Sequence, residues 1–200
     1  MRGQSNLGVL REDAVNIMVH GHEPVLSEML VAAAQDPGLI AEARAKGAQG
    51  INLVGICCTA NEILMRHGVP VAGNFLQQEL AVITGALEAV VVDVQCIMPA
   101  LVQLAACYHT KFITTSPKAK FPGALHVPFE ERRALETARE IVRLAVDNFP
   151  RRDKSRVFIP KETSAYMAGF SVEAILEALG GTPAPLLESD AAMVKTVFIS

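Results

Sequence analysis

The chain has 200 residues; half of them are hydrophobic, a fifth are charged, and the formal net charge is -3 at pH 7. This length and composition suit one domain with a substantial buried core. The small negative charge and the lack of a Lys and Arg cluster exclude a phosphate-binding stripe, so nucleic acid is not an expected partner. No run reaches the roughly 18 apolar residues of a membrane helix, and the N-terminus lacks a signal-peptide pattern, which predicts a cytoplasmic chain without a membrane span.

Strand and helix patterns alternate along the chain. Short runs rich in Val and Ile predict buried strands over residues 15–19, 51–56, 89–95, 111–115 and 156–159. Amphipathic stretches between them predict helices over residues 24–34, 38–46, 59–67, 75–86, 99–109 and 129–148. This order predicts an α/β fold with a doubly wound, mainly parallel sheet of the Rossmann-like type.

Helix start signals support these predicted helices. Pro24 suits the first turn of the helix that follows the first strand. The sequence Thr59-Ala60-Asn61-Glu62 matches the capping-box pattern directly after Cys58. Pro99 opens a helix three residues after Cys96. Each strand therefore turns into a helix whose positive N-terminal end favours an anionic thiolate.

Candidate metal ligands follow three of the predicted strands. The first strand leads into His20-Gly21-His22, the second is followed by Cys57-Cys58, and the third by Cys96. If these are neighbouring parallel strands, an imidazole and two thiols meet at the carboxyl edge of the sheet, where open α/β sheets bind ligands. Imidazole and thiolate are ligands of soft metals. Although a single buried cysteine is more often inert core packing, this convergence predicts a metal or redox site.

The other cysteine and histidines have plainer interpretations. Cys107 and His109 lie near the end of the predicted helix after Cys96, where packing is expected and a supporting role around a metal is the alternative. His67 stands at a helix C-terminus and is expected to be a charge partner for that helix end. His126 is expected in a surface loop. No dinucleotide or P-loop glycine pattern is present, so nucleotide binding has no support.

The segments around the candidate ligands resemble the nickel-iron carbon monoxide dehydrogenases of anaerobes. They read HGHEPVLSE at residues 20–28, GINLVGICCTANE at residues 50–62 and VDVQCIMP at residues 92–99. The resemblance continues through residues 107–111, 115–123 and 168–175, and it covers residues 6 to 187 in order. Because these segments are long and combine rare residues, the resemblance is specific.

The resemblance implies a fold, a cofactor and a reaction. The fold is that of the prismane/carbon monoxide dehydrogenase proteins, and the cofactor is a nickel-iron-sulfur cluster of the Ni-4Fe-4S type that oxidises CO with water to CO2 and two electrons. By resemblance, His22 and Cys58 bind an iron pendant to the cluster, and Cys96 binds an iron of the cubane. His20 remains an alternative to His22, and Cys57 to Cys58. Cys58 is preferred as the start of a helix, and His22 because it lies further past the strand.

The resemblance also implies an incomplete ligand set. Residues 1–187 correspond to the family's first Rossmann-like α/β domain, and residues 188–200 form a divergent tail. Other segments of the family supply further cysteine ligands, a catalytic histidine and a catalytic lysine, so no catalytic residue is assigned here. The sequence therefore predicts an oxidoreductase domain that is inactive alone and does not hold an intact cluster.

The partners implied by the resemblance are CO, water and CO2, the remainder of the enzyme or a second subunit, and a ferredoxin-like electron acceptor. A homodimer is implied for the full-length family, and association with acetyl-CoA synthase is left open. Two other functions are considered: a non-catalytic metal-binding or scaffold module, and an enzyme of the hybrid-cluster (hydroxylamine reductase) type. The His-Gly-His-Glu-Pro and Cys-Cys-Thr-Ala-Asn-Glu sequences fit the carbon monoxide enzymes better.

Overall fold

The computed structural model of the chain describes residues 2–94 and 98–167. In this part of the chain, the strands are β1 Arg2–Ser5, β2 Val15–His20, β3 Ile51–Ile56, β4 Val71–Gly73, β5 Leu87–Val92, β6 Lys111–Thr114, β7 Leu125–His126 and β8 Ser164–Met167. The α-helices are α1 Pro24–Ala34, α2 Pro37–Ala45, α3 Cys57–His67, α4 Gln78–Ile83, α5 Leu101–Ala106 and α6 Ala134–Val146. Single 3-10 turns occupy several of the connections.

The strands form one mainly parallel sheet with helices on both faces. Their order across the sheet is β7-β6-β5-β2-β3-β4-β1-β8. Neighbouring strands are parallel except for β8, which pairs antiparallel with β1. One core cluster packs α1, α2, α3 and α6 against the sheet, and another packs α4 and α5 on the opposite face. The predicted doubly wound α/β fold is therefore confirmed.

The central strand β2 shows why the sequence folds this way. Every residue of β2 is buried. Ile17 and Val19 pack into the cluster on one face, and Met18 packs into the cluster on the other. A strand covered on both faces needs apolar side chains at successive positions, which explains the continuous apolar run in the sequence.

The order of the strands creates a switch point beside β2. From β2 the chain builds outward through β3 and β4 on one side, and later through β5, β6 and β7 on the other. The connections that leave the carboxyl ends of β2 and β5 therefore part in opposite directions. The divergence leaves a crevice at the carboxyl ends of these two strands, and open α/β sheets bind ligands in such crevices. The loops after β2 and β5 are therefore the expected position of a ligand site.

The predicted strand over residues 156–159 is wrong. The structure has a 3-10 turn at Lys154–Arg156, which the Asp153 side chain caps by accepting from the Ser155 amide. Val157 then has extended backbone, and Phe158 donates one amide hydrogen bond to the Thr84 carbonyl, at 2.8 Å. Its side chain is 76% exposed, so this apolar run is not a buried strand.

Several boundaries differ from the sequence prediction for local reasons. The helix expected over 75–86 begins with a 3-10 turn at Phe75–Gln77, and α4 ends at Ile83, shortly before Gly85 with its positive φ of 66°. The helix expected over 129–148 likewise opens with a 3-10 turn, at Glu131–Arg133. Strands β1, β4, β7 and β8 were not predicted because they have only two to four residues each and β1, with the sequence RGQS, has no apolar run.

Two further sequence predictions concern residues that the structure does not describe. The domain boundary expected after residue 187 and the tail over 188–200 lie outside the described residues. Among the helices that are described, none has the length and apolar character needed to cross a membrane.

Candidate metal centre

The three strands that precede the candidate ligands are neighbours, with β2 in the middle. His20, the last residue of β2, is in register with Ile56 of β3 and with Val92 of β5. The His20-Gly21-His22 sequence and the Cys57-Cys58 pair therefore leave the same edge of the sheet from adjacent strands. Cys96, the third predicted ligand, lies outside the described residues.

His20 is a buried, unpaired imidazole at this edge. It has no exposed surface, and neither Nδ1 nor Nε2 has a hydrogen-bond partner. Burial, with a smaller contribution from the neighbouring His22, lowers the pKa of His20 from 6.5 to about 4. The ring is therefore neutral near pH 7, which is the protonation state that a metal ligand requires.

His22 lies two residues further on and is half-buried. Its amide donates to Asp93 Oδ1 at 2.7 Å, and its ring Nδ1 lies 3.3 Å from the Val94 carbonyl oxygen. When Nδ1–H donates to a backbone carbonyl, the lone pair is on Nε2, which is then available to a metal. This arrangement, with one ring nitrogen held by the protein, is typical of histidines that bind metals.

Asp93 ties the turn after β2 to the end of β5. Its carboxylate is buried and accepts hydrogen bonds from the backbone amides of His22, Glu23 and Val94. The turn has room for this carboxylate because position 21 is glycine: a Cβ there would lie 1.7 Å from Asp93 Oδ1. Gly21 also has a φ of 140°, a conformation that residues with a side chain rarely adopt.

The two cysteines stand at the junction of β3 and α3. The helix begins at Cys57, not at Cys58 as expected, and Cys57 has a positive φ of 58°. Non-glycine residues in this region are uncommon and occur often at functional sites. Cys58 is exposed and Cys57 is partly buried. The thiol of Cys58 is therefore accessible from solvent at this edge.

Thr59 has a different role from the predicted one. It is not the N-cap of a capping box, because α3 has already begun and its N-cap residue is Ile56. Instead the buried Thr59 hydroxyl donates to the Gly21 carbonyl. This hydrogen bond joins the beginning of α3, one residue after Cys58, to the turn that carries His22.

A cavity of about 590 Å³ opens beside the cysteine pair. Both thiols contribute to its wall, together with polar side chains from the ends of β1, β4 and β8 and from the start of α3. These polar residues are Ser5, Asn6, Asn61, Asn74, Gln77 and Ser164. The histidines are absent from the residues that line it. The cysteines and the histidines therefore share an edge of the sheet but not this cavity.

The donors of this edge fit the chemistry of an iron-sulfur metal centre. Accessible thiols, a neutral buried imidazole with unpaired nitrogens, and an imidazole with one nitrogen already held are all suited to soft metals and iron. Within residues 2–94 and 98–167, no group of three or more His, Cys, Asp and Glu side chains is close enough together to hold a metal ion. The described residues thus supply individual candidate donors and no complete group of metal ligands.

The remaining cysteine and histidines lie elsewhere. Cys107 is exposed, so the expectation that it packs in the core is wrong. His109 Nε2 lies 2.9 Å from a carboxylate oxygen of Glu88 near the start of β5, at the opposite edge of the sheet from the candidate centre. His67 contacts Glu28 of α1, also at 2.9 Å. His126 belongs to β7, where its ring contacts the Thr114 hydroxyl, and is not in a loop.

Asp93 and Thr59 are the site residues that the sequence alone did not reveal as such. The available signal for Asp93 was a lone acidic residue directly after a strand of apolar residues. For Thr59 there was none, because its hydroxyl fits a capping box and its actual partner is 38 residues away.

The fold and the site define a doubly wound α/β domain with imidazole and thiol groups at the carboxyl edge of its sheet. The chain matches the model of the Prismane/CO dehydrogenase family over residues 1–191. It belongs to this family, and the resemblance seen in the sequence is confirmed.

Individual relatives agree with the family match. The chain is 66% identical over 184 residues to carbon monoxide dehydrogenase 1 of Methanosarcina mazei, covering 92% of this chain and 29% of that protein. It is 54% identical over 177 residues to carbon monoxide dehydrogenase 1 of Carboxydothermus hydrogenoformans, covering 88% of this chain and 28% of that protein. The chain therefore spans less than a third of the length of these relatives.

Two solved structures likewise match most of this chain over less than a third of their own length. A nickel-free carbon monoxide dehydrogenase from Thermococcus sp. AM4 superposes with a TM-score of 0.86 at 57% identity, covering 94% of this chain and 30% of that one. A structure of acetyl-CoA synthase/carbon monoxide dehydrogenase, described as containing NiZn[Fe4S4] and NiNi[Fe4S4] clusters, superposes with a TM-score of 0.83 at 48% identity, covering 90% of this chain and 27% of that one.

Proposed function

We propose that this chain supplies part of the protein ligand set for a nickel-iron-sulfur cluster of a carbon monoxide dehydrogenase, with His22, Cys58 and Cys96 as ligands. The observation that carries this proposal is the register of β2, β3 and β5, which brings the turn with His22 beside the junction with Cys58. Cys96 follows β5, the other neighbour of β2, by four residues. The names of the relatives support the reaction class.

The residues of this chain would hold and orient the cluster. His22 offers Nε2 because its Nδ1 faces the Val94 carbonyl. Cys58 offers an accessible thiol in the first turn of α3. When bound, the cluster supplies the redox chemistry that converts CO and water to CO2, two protons and two electrons. The remaining ligands and the catalytic groups come from the remainder of the enzyme or a second subunit.

The geometry supports two choices between neighbouring residues. His22 is preferred to His20 because His20 has no exposed surface within the core, whereas His22 is half-buried on the turn. Cys58 is preferred to Cys57 because its thiol is exposed and Cys57 packs against the core cluster beside α4 and α5. The cytoplasmic location, the homodimer and the ferredoxin-like acceptor stay predictions from the sequence.

Titration with Co2+ under anaerobic conditions tests the ligand assignment. Thiolate coordination gives Co2+ intense charge-transfer absorption, so the parent chain should develop such a band. His22→Ala and Cys58→Ser should each weaken the affinity by more than the roughly 10–100-fold that loss of a supporting hydrogen bond costs. Cys107→Ser is the matched control, because Cys107 is also an exposed cysteine but lies at the other edge of the sheet. Equal affinities for the parent and Cys58→Ser would contradict the assignment.

A non-catalytic metal-binding module is the second candidate, favoured by the absence of a complete group of metal ligands among the described residues. Anaerobic reconstitution with iron, sulfide and nickel, in the presence of the other segments of a carbon monoxide dehydrogenase, separates it from the first, because only the first candidate predicts CO oxidation there. For both candidates, the chain alone should bind iron without stoichiometric nickel and without oxidising CO. Stoichiometric nickel and CO oxidation by the purified chain would overturn the view that its ligand set is incomplete. The relatives named above are carbon monoxide dehydrogenases, and their names favour a carbon monoxide dehydrogenase over a hybrid-cluster enzyme.

A further inference from the structure

The carboxylate of Asp93 forms a bridge across the switch point of the sheet. Asp93 directly follows β5, and its side chain is 2% exposed. Its Oδ1 accepts from the His22 amide at 2.7 Å, and its Oδ2 accepts from the Glu23 amide at 2.9 Å. The Val94 amide donates to Oδ1 as well. One buried side chain thus holds two consecutive amides of a turn that comes from the neighbouring strand.

We propose that Asp93 is a positioning residue that sets the orientation of the His22 imidazole toward the metal. This inference rests on the proposed function, in which His22 is a ligand. Its basis is that both groups that hold His22 belong to one short segment: Asp93 fixes the backbone, and the carbonyl of the adjacent Val94 faces ring Nδ1. A displacement of the carboxylate moves the backbone of His22 and its ring acceptor together.

A carboxylate is required here for a chemical reason. Each oxygen accepts from a different amide of the turn, and both donors are backbone N–H groups. An asparagine has nearly the same shape, but its NH2 group is a donor and must face one of these amides. Hydrogen bonds to a charged acceptor are also stronger than those to a neutral one. Asp93→Asn therefore keeps the volume of the side chain, loses one of the two hydrogen bonds to the turn and weakens the other.

Thr59 holds the same turn through a second hydrogen bond. The Thr59 hydroxyl donates to the carbonyl of Gly21, the residue before His22. In Asp93→Asn the turn keeps this bond, so its path along the sheet edge is retained while the hold on the His22 and Glu23 amides is weakened. The expected defect of Asp93→Asn is therefore a loss of orientation at His22, with the fold preserved.

Amide hydrogen exchange measured by NMR gives the first test. In the parent chain, the His22 and Glu23 amides should be protected, and in Asp93→Asn both should exchange at least about tenfold faster. Asp36→Asn is the matched control, because Asp36 also accepts from two backbone amides, those of Gly38 and Leu39, at the start of α2. Should Asp93→Asn fail to fold, protection of the two amides in the parent decides: rapid exchange of both there overturns the inference.

Co2+ binding gives the second test. The parent and Asp36→Asn should bind Co2+ with the same affinity and spectrum. Asp93→Asn should bind about 10–100-fold more weakly, as expected for loss of a group that orients a ligand, and with altered ligand-field bands. Unchanged Co2+ affinity and spectrum in Asp93→Asn, despite faster amide exchange, would refute the positioning role of Asp93 and leave the proposed function standing. A parent chain without thiolate-to-cobalt absorption would instead refute the proposed function, and the metal-directed role of Asp93 with it.

Discussion

Replacement of Gly21 by alanine tests whether the turn after β2 depends on the close approach of Asp93. A Cβ at position 21 would lie 1.7 Å from Asp93 Oδ1, 2.2 Å from Cγ and 2.5 Å from Oδ2. The carboxylate cannot move aside without losing its bonds to the His22 and Glu23 amides. The φ of 140° at this position is an additional strain for any residue with a side chain.

The expected magnitude follows from these two effects. A residue held in a sparsely populated backbone region costs about 1–3 kcal/mol. Loss of one hydrogen bond to a buried carboxylate costs about 1.5–3 kcal/mol more. Gly21→Ala should therefore lower the free energy of unfolding by about 2.5–6 kcal/mol, a large share of the roughly 5–15 kcal/mol typical of a domain.

Gly47→Ala separates the clash from the backbone strain. Gly47 follows α2 with a φ of 92°, and a Cβ there would have nothing within 4 Å. Gly47→Ala should lower the free energy of unfolding by the backbone strain alone, about 1–3 kcal/mol. Urea unfolding monitored by circular dichroism measures both variants, with equal slopes required for the comparison. Equal losses in Gly21→Ala and Gly47→Ala would refute the argument that Asp93 occupies the space beside Gly21.

Two further predictions concern buried titratable groups. Arg152 donates to the buried Glu88 carboxylate at 2.8 and 2.6 Å. Arg152→Met should therefore lower the free energy of unfolding, measured in urea, by about 3–5 kcal/mol, and the double variant Glu88→Gln/Arg152→Met should lower it clearly less. A loss under about 1 kcal/mol in Arg152→Met would contradict the importance of this ion pair. The folded-state pKa of His20 is lowered from 6.5 to about 4, so the unfolded chain binds the extra proton between these values and stability should fall as pH drops through this window, by about 3 kcal/mol in all. His20→Leu should remove that part of the pH dependence in urea titrations of the metal-free chain, and an unchanged pH profile would show that folding does not lower the pKa of His20.

The location of the candidate centre could be predicted from the sequence because it depends on local patterns. The apolar runs before His20 and Cys57 are long enough to identify β2 and β3. Parallel pairing of consecutive strands then brings their carboxyl ends to one edge. The residues that fix the geometry depend on tertiary contacts instead. Asp93 holds an amide 71 residues away, and no pattern along the chain indicates that partner.

The same distinction explains the errors at Thr59 and at residues 156–159. Thr59 has the sequence context of an N-cap, but α3 begins earlier and the Gly21 carbonyl takes its hydroxyl. The run over 156–159 has the composition of a strand, yet an Asp153 cap starts a turn before it and Phe158 remains exposed. In both cases the tertiary surroundings override the local sequence preference: Thr59 has a partner distant in sequence, and Phe158 is not covered by the core.

If His22 is a metal ligand as proposed, the hydrogen bonds around it organise its turn before any metal binds. The amide of His22 is held by Asp93, its ring by Val94, and the preceding carbonyl by Thr59, all within the described part of the chain. A ligand held in this way loses less conformational entropy on binding than a mobile one. Metal should therefore bind to this turn without ordering it, and His22 and Glu23 should show the same amide protection with and without Co2+. A large gain in protection on adding Co2+ would mean that the metal, and not Asp93, orders the turn.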